Sequence, residues 1–408
     1  MWLLNTDTLE RKEFADSHNI PAYAILSHTW GDDEIAFHEM QGAHDTAQVK
    51  AGFTKIVNFC RLAKARGYHY AWVDTCCIDK RSSAELSEAI NSMYRYYRDA
   101  GECLVYLFDV PTDDNMSRQQ QLSYFRASRW FTRGWTLQEL LAPKTRIFFS
   151  EKWIPIDDNG DLLDLLAEIT SIDSRLLQNR DLLSTYCIAE RMSWASTRQT
   201  TRSEDRAYSL MGLFNIHMPV LYGEGGESAF RRLQEEIIRI SFDQSIFVWC
   251  GQHENSGLLA KSPSEFVGPP TLGLWAPVNL APFMMTNMGL AIRMNITEIM
   301  PHDRSWLSDD IGVDVYLAVI GCDVWDGASW GLLALFLQPV QDASFYVNGR
   351  VCKAYRRVKC HTWLRVPHRA LAGRTGPTRF TDVLVLEDEH FDLVNRAIKE
   401  DQSRFFTP

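Results

Sequence analysis

Three separated stretches hold the side chains best suited to chemistry. Asp32 and Asp33 close the segment Ser27-His28-Thr29-Trp30-Gly31-Asp32-Asp33, Asp74 and Asp79 bracket Thr75-Cys76-Cys77-Ile78, and Glu139 ends Arg133-Gly134-Trp135-Thr136-Leu137-Gln138-Glu139. A carboxylate beside a ligand pocket stabilises a sugar that is losing its leaving group, because positive charge develops at the anomeric carbon. A cationic heterocycle such as the nicotinamide of NAD departs neutral. Such a site needs one ionised carboxylate and apolar walls, without requiring a general acid. The bland alternative makes Asp74 and Asp79 strand-end and helix-capping residues, and puts Glu139 on a solvent-facing side of its helix.

Other residues suggest other chemistries. Cys76-Cys77 could supply a nucleophile with His28 or His69 as base, but adjacent residues of an extended chain point to opposite sides, so buried packing is the expectation. Arg129 and Arg133 are four apart and would share a helix face, from which they could grip a diphosphate or pair with neighbouring carboxylates. The glycine-rich run Tyr222-Gly223-Glu224-Gly225-Gly226-Glu227-Ser228 precedes a helical pattern. Glu224 and Glu227 would repel phosphate there, and no Walker lysine follows, so it reads as a helix-entry turn. The 11 histidines show no metal-ligand spacing, and no metal is expected. Trp30, Trp72, Trp130 and Trp135 either build the core or offer a face for stacking on a ring.

Positioning these residues requires a layered scaffold. From about residue 21 to 150, strand-like and helix-like segments alternate, the pattern of an α/β fold with a parallel sheet. Ala22 to Ser27, Tyr70 to Val73, Cys103 to Phe108 and Arg146 to Phe149 read as strands. Phe53, Ile56, Val57, Cys60 and Ala63 recur at helical spacing before Arg66-Gly67, and Leu86, Ile90, Met93, Tyr94 and Tyr97 do so after a Ser82 or Ser83 cap. Ser128 to Pro143 reads as a single helix ended by proline. Ligands of open parallel sheets bind outside the carboxyl ends of the strands, so Ser27 to Asp33, Asp74 to Asp79 and Glu139 should converge there. Residues from about 160 to 245 look helical, and short strands follow at 245–249, 313–320, 344–347 and 382–386, with Asn348-Gly349 as a type I′ turn.

Composition narrows the classes. The 408 residues include 46% hydrophobic and 12% aromatic side chains, too apolar for a disordered chain and too long for one ordinary domain. A net charge of −10 argues against nucleic acid as a partner. Nine cysteines with no CxxC pair point to reduced thiols inside a cell, and the N-terminus does not resemble a signal peptide. The longest apolar run, Trp330 to Leu337, is too short to cross a membrane, so no membrane partner is expected.

Three ordered blocks carry a family likeness: Ala22 to Asp32, Ala71 to Lys80, and Trp130 to Pro143, the last reading Trp130-Phe131-Thr132-Arg133-Gly134-Trp135-Thr136-Leu137-Gln138-Glu139-Leu140-Leu141-Ala142-Pro143. Together they resemble the fungal heterokaryon-incompatibility (HET) domain. Glu204 to Phe214 and Met218 to Gly225 are similar to the segment that usually follows it, so the likeness covers about 20 to 250. The resemblance implies a cytoplasmic fungal protein of non-self recognition and programmed cell death. It also implies a distant relation to TIR domains, whose flavodoxin-like fold can cleave NAD. Of the TIR pattern Ser-x-Trp-Cys-x-x-Glu-Leu, Trp135 to Leu140 keeps the Trp-to-Glu spacing, whereas Thr136 replaces the cysteine and Ser128-Arg129-Trp130 sits five residues early.

The expectation is therefore a TIR/flavodoxin-like parallel-sheet domain over 1–155, a helical extension over 156–245 and a β-rich C-terminal domain over 246–408. Glu139 and Asp74 are the candidate catalytic residues; Ser27, His28, Trp30, Asp32, Asp79, Arg133 and Trp135 are the candidate substrate-binding ones. No cofactor is implied, and NAD enters as a candidate substrate of an NAD glycohydrolase-like hydrolase. Self-association, a partner protein or a small molecule are the expected partners. Two rival readings stand beside this one, an enzyme of fungal specialised metabolism and a non-catalytic interaction module.

Overall fold

The chain opens on an antiparallel pair, β1 (Trp2–Asn5) and β2 (Arg11–Glu13), and then alternates strands with helices. These are β3 (Tyr23–His28), α1 (Ala51–Ala65), β4 (Tyr70–Trp72), α2 (Ser83–Asp99), β5 (Glu102–Tyr106), α3 (Arg118–Ala127), α4 (Thr136–Leu141) and β6 (Arg146–Phe149). The structure is a computed structural model that describes residues 1–15, 19–41, 50–113, 115–156, 162–267, 272–274, 282–299, 314–325, 327–367, 380–388, 390–391 and 393–394. It forms two compact units, residues 1–185 with 197–229, and residues 186–196 with 230–408.

In the first unit β3, β4, β5 and β6 run parallel, while β1 is antiparallel to β4. The sheet order is β2-β1-β4-β3-β5-β6. Among the parallel strands the second thus lies on one side of the first, and the third and fourth on the other. A crevice opens at the carboxyl end of such a reversal. All six residues of β3 are buried, as a central strand covered on both faces requires. Helix α1 buries Ile56, Phe59, Cys60 and Ala63, and Gly67 at φ +91° ends it in the left-handed conformation. Ser82 caps α2 by accepting from the Glu85 amide, and Ala89, Ile90, Met93, Tyr96 and Tyr97 form its buried face.

Ser128 to Pro143 is not one helix. Arg129–Thr132 forms a 3₁₀ turn capped by the Ser128 side chain, Arg133 is extended, and α4 starts only at Thr136. The Gly134 amide donates to the Gln199 carbonyl (2.8 Å) and the Gln199 amide donates to the Thr132 carbonyl (2.7 Å), so this backbone is committed elsewhere. A Cβ on Gly134 would lie 2.5 Å from the Thr200 side chain, which explains the glycine at that crossing. The helical spacing of Arg129 and Arg133 consequently has no meaning here. Helices Leu162–Thr170, Ser174–Gln178 and Asp205–Tyr208 complete the unit.

The second unit is β-rich. Its strands are β7 (Asn255–Ser256), β8 (Leu272–Leu274), β9 (Met284–Met285), β10 (Gly289–Glu298), β11 (Tyr316–Trp325), β12 (Trp330–Val347), β13 (Arg350–Val358), β14 (Leu364–Pro367) and β15 (Phe380–Leu386). Strands β12, β11, β10, β15 and β13 pair in succession and β13 pairs again with β12, so these five form a closed ring. Asn348 (φ +50°) and Gly349 (φ +76°) make the expected turn between β12 and β13. Residues 245–249 are not a strand: Asp243 accepts from the Ser245 amide (2.8 Å) and caps a 3₁₀ turn over Gln244–Phe247. Residue 313 lies outside the described residues, and β11 covers most of the strand expected after it. Among the described residues no helix is long and apolar enough to cross a membrane.

Candidate functional site

Ser27, near the carboxyl end of β3, is fully buried and reaches Glu139 on α4, 112 positions further along the chain. Its hydroxyl donates to Glu139 Oε2 at 2.5 Å and accepts from the Trp130 indole at 2.8 Å. A serine has a single proton to give. With Trp130 taking a lone pair, that proton is directed at Glu139. On the other side stands Tyr97 of α2, whose hydroxyl donates to the Leu26 carbonyl at 3.0 Å. Burial raises the Glu139 carboxyl to about 8, with the negative charge of Asp74 adding to the shift and the Ser27 hydrogen bond opposing it.

Glu139 is one lining residue of a cavity of about 250 Å³. The last residue of β3, His28, and Trp30 just beyond it line the cavity; the segment after β4 contributes Asp74, Ile78 and Lys80. Helix α2 supplies Leu86, Ile90, Met93 and Tyr97 as an apolar wall. Arg133 and Trp135 come from the stretch leading into α4, and Thr201, Arg202, Asp205 and Tyr222 from the later part of the same unit. Such a mixture of apolar wall and few convergent polar groups is what small-molecule sites have.

Asp74 accepts from the Trp30 indole at 2.7 Å through Oδ2. Its Oδ1 and the His28 Nε2 face each other at 3.9 Å, and both are buried without a hydrogen-bond partner. Burial, reinforced by the Lys55 ammonium, holds His28 well below the usual imidazole range, so it is neutral. Arg198 is buried behind the site, its guanidinium donating to the Arg133 carbonyl and to Thr136 Oγ1 (2.9 Å each), and desolvation pushes it down to about 10. Tyr222 donates to Asp205 at 2.8 Å, and Glu204 accepts from the amides of Gly223 (2.8 Å) and Gly225 (3.2 Å), both at positive φ. Glu204 thereby fixes the glycine-rich turn that delivers Tyr222.

Of the residues expected from sequence, the structure brings His28, Trp30, Asp74, Arg133, Trp135 and Glu139 to one cavity, with Ser27 directly behind Glu139. Glu139 is 7% exposed, so the solvent-facing alternative does not hold. Asp32 is exposed on a bend that the Gly31 amide closes by donating to Glu34 (2.8 Å), which turns Glu34 inward and Asp32 out. Asp79 is drawn back onto its own loop, accepting from the Arg81 amide (3.1 Å) and guanidinium (3.2 Å). Neither lines the cavity. Cys76 and Cys77 are both buried, and the hydrogen bond between their side chains, together with burial, raises the Cys76 thiol well above its usual range, which disfavours a thiolate nucleophile. Lys80, Tyr97, Arg202, Asp205 and Tyr222 escaped the sequence reading. Tyr97 had a signal only as part of an apolar helix face, and Arg202 to Tyr222 follow a helical stretch that hides their return to the first unit.

The first unit is thus an α/β layer with a ligand-sized cavity at the carboxyl edge of a parallel sheet. Residues 23–115 match the family model described as Heterokaryon incompatibility protein (HET), and residues 228–270 match a domain of unknown function, DUF8212. Over 226 residues the chain is 47% identical to Vegetative incompatibility protein HET-E-1 of Podospora anserina, covering 54% of this chain and 16% of that protein. It therefore spans less than a fifth of the relative's length. No solved structure matches the chain. Over residues 23–115 the chain thus resembles the HET family.

Proposed function

We propose that the chain serves in fungal heterokaryon incompatibility, as an effector of non-self recognition and cell death, and that its first unit acts by hydrolysing NAD. The observation that carries the reading is the buried Glu139 carboxyl on a cavity wall with Asp74, at the carboxyl edge of the sheet. The second-first-third-fourth order of the parallel strands is that of flavodoxin-like sheets and supports the TIR-like reading. All nine cysteines are free, which suits a cytoplasmic setting.

The chemistry follows from charge. A bound nicotinamide ring is cationic and favours the ionised form of Glu139. As the C–N glycosidic bond breaks, the electron pair leaves with neutral nicotinamide and positive charge moves to the sugar, where the carboxylate stabilises it. Water adds to the anomeric carbon and releases a proton, giving ADP-ribose. Because the reading needs ionised Glu139, kcat/KM should rise with pH through about 8.

Incubation of the purified protein with NAD should release nicotinamide, and Glu139→Gln should slow that release by about a thousandfold; equal release by both proteins would remove Glu139 from the mechanism. Growth arrest on overexpression, lost in the same variant, would tie the chemistry to cell death. The rival reading as an inert interaction module expects an occluded cleft with Glu139 in an ion pair. Among the described residues Glu139 makes no ion pair, and its cavity is open to ligand-sized groups.

A further inference from the structure

The cavity carries charges that the glycoside chemistry does not use. Lys80, Arg133 and Arg202 reach it from three separate segments. Among the described residues none of the three has a carboxylate within ion-pair distance. By contrast, Lys50, Lys55, Arg66 and Arg81 of the same unit are each ion-paired. Two of the cavity cations are instead held by aromatic rings that also line it. The Lys80 ammonium lies 3.6 Å from the Trp30 ring centroid, and the Arg202 guanidinium 4.0 Å from that of Tyr222. A cation resting on a ring face is positioned without spending its N–H donors. The third, Arg133, is placed by its backbone, whose carbonyl accepts from buried Arg198 at 2.9 Å.

The lining also contains the carboxylates of Asp74, Asp205 and Glu139. With Glu139 neutral at pH 7, three cations face two carboxylates, a local excess of +1 in a chain of net charge −10. Guanidinium and ammonium groups with free donors are what phosphate oxygens bind, Arg in a bidentate fork and Lys as a point charge. The apolar wall of Leu86, Ile90 and Met93 lies in the same cavity and suits a flat ring.

We propose that Lys80, Arg133 and Arg202 form a phosphate subsite, and that the cavity takes a phosphorylated nucleoside or dinucleotide in preference to its unphosphorylated counterpart. The subsite rests on the reading of this cavity as the ligand site and specifies which part of the ligand each wall meets. It does not depend on any bond being cleaved.

Inorganic pyrophosphate is the probe, titrated into the full chain by calorimetry and by tryptophan fluorescence, since Trp30 and Trp135 line the cavity. Wild-type protein should bind it, and Lys80→Gln and Arg202→Gln, both exposed positions, should each weaken binding roughly tenfold, as loss of a charge-assisted hydrogen bond does. Arg133→Lys should keep part of the affinity that Arg133→Gln loses. Nicotinamide mononucleotide should compete with pyrophosphate where nicotinamide riboside does not. No binding by wild-type protein, or equal binding by the three Gln variants, would overturn the subsite. Pyrophosphate binding lost in the variants without any NAD cleavage would leave the subsite standing and remove only the hydrolase reading. Cleavage of NAD with unchanged KM in all three variants would do the reverse.

Discussion

Glu139 in the first unit and Arg357 in the second are both buried ionisable groups, and their surroundings differ in one respect. Arg357 is 0% exposed, lies 3.8 Å from the centroid of the Trp249 ring, and donates to the carbonyls of Phe247 (3.1 Å) and Trp249 (2.7 Å). Its two terminal nitrogens are thus directed at fixed backbone oxygens within a packed core. Glu139 has the Ser27 hydroxyl on one oxygen, Tyr97 beside it, and a cavity in front. Desolvation lowers the arginine and raises the glutamate, so each is displaced toward its neutral form. The lesson is that burial of a charge does not by itself mark a functional group. What distinguishes Glu139 is that one side of its environment is left for a ligand to complete.

Substitutions can test that contrast. The largest effect is expected at Glu139: Glu139→Gln should lower NAD hydrolysis by about a thousandfold, the range seen when a preorganised electrostatic group is removed, measured as nicotinamide release. The same variant should change the pH dependence of stability. The folded value of Glu139 is about 8 against an ordinary 4.5, so its neutral form stabilises the fold fully below pH 4.5 and that contribution is lost as pH rises to about 8. Wild-type Tm should therefore fall across this window relative to Glu139→Gln, and parallel curves would show that the carboxyl is not raised. Next in size, Arg357→Leu should destabilise by about 3 kcal/mol because two buried carbonyls lose their donors, read by urea unfolding. An unchanged midpoint there would erase the distinction between the two sites.

A smaller change is expected at Ser27. Ser27→Ala removes a donor to the carboxylate form, so it should move the alkaline rise of kcat/KM to higher pH, with a loss of about 2 kcal/mol in transition-state stabilisation; a rise at unchanged pH would mean that the short hydrogen bond does not tune Glu139. The smallest belongs to Asp32, which is exposed and outside the cavity. Asp32→Ala should alter stability by no more than about 0.5 kcal/mol, and a tenfold change in KM would return it to the site.

Much of the first unit was legible because its determinants are local. The apolar run of β3, the capped face of α2 and the left-handed Gly67 each follow from a few neighbouring residues. Glu139 and Asp74 were brought together by a rule about strand ends that needs only the order of elements. What stayed hidden depends on partners far along the chain. The break at Arg133 to Trp135 comes from backbone bonds to Gln199, and no feature of residues 128–143 alone announces it. Lys80 reads as a surface lysine until Trp30 is seen beneath it. In the second unit the Asn348-Gly349 turn was visible for the same local reason, whereas the 3₁₀ turn at Gln244–Phe247 is set by the Asp243 cap against strand-forming side chains.

The path of the chain between the units has a practical outcome. It leaves the first unit after residue 185, spends residues 186–196 in the second, and comes back for 197–229. One scission of the polypeptide therefore cannot release either unit intact. A fragment cut at residue 155 would lack Thr201, Arg202, Asp205 and Tyr222, and with them one wall of the cavity and the Gln199 strap across Gly134. A fragment trimmed to residues 23–115 would forfeit Glu139 as well. Any excised piece that scores as inert would be reporting its missing parts, so dissection by truncation should give way to point substitution in the uncut polypeptide.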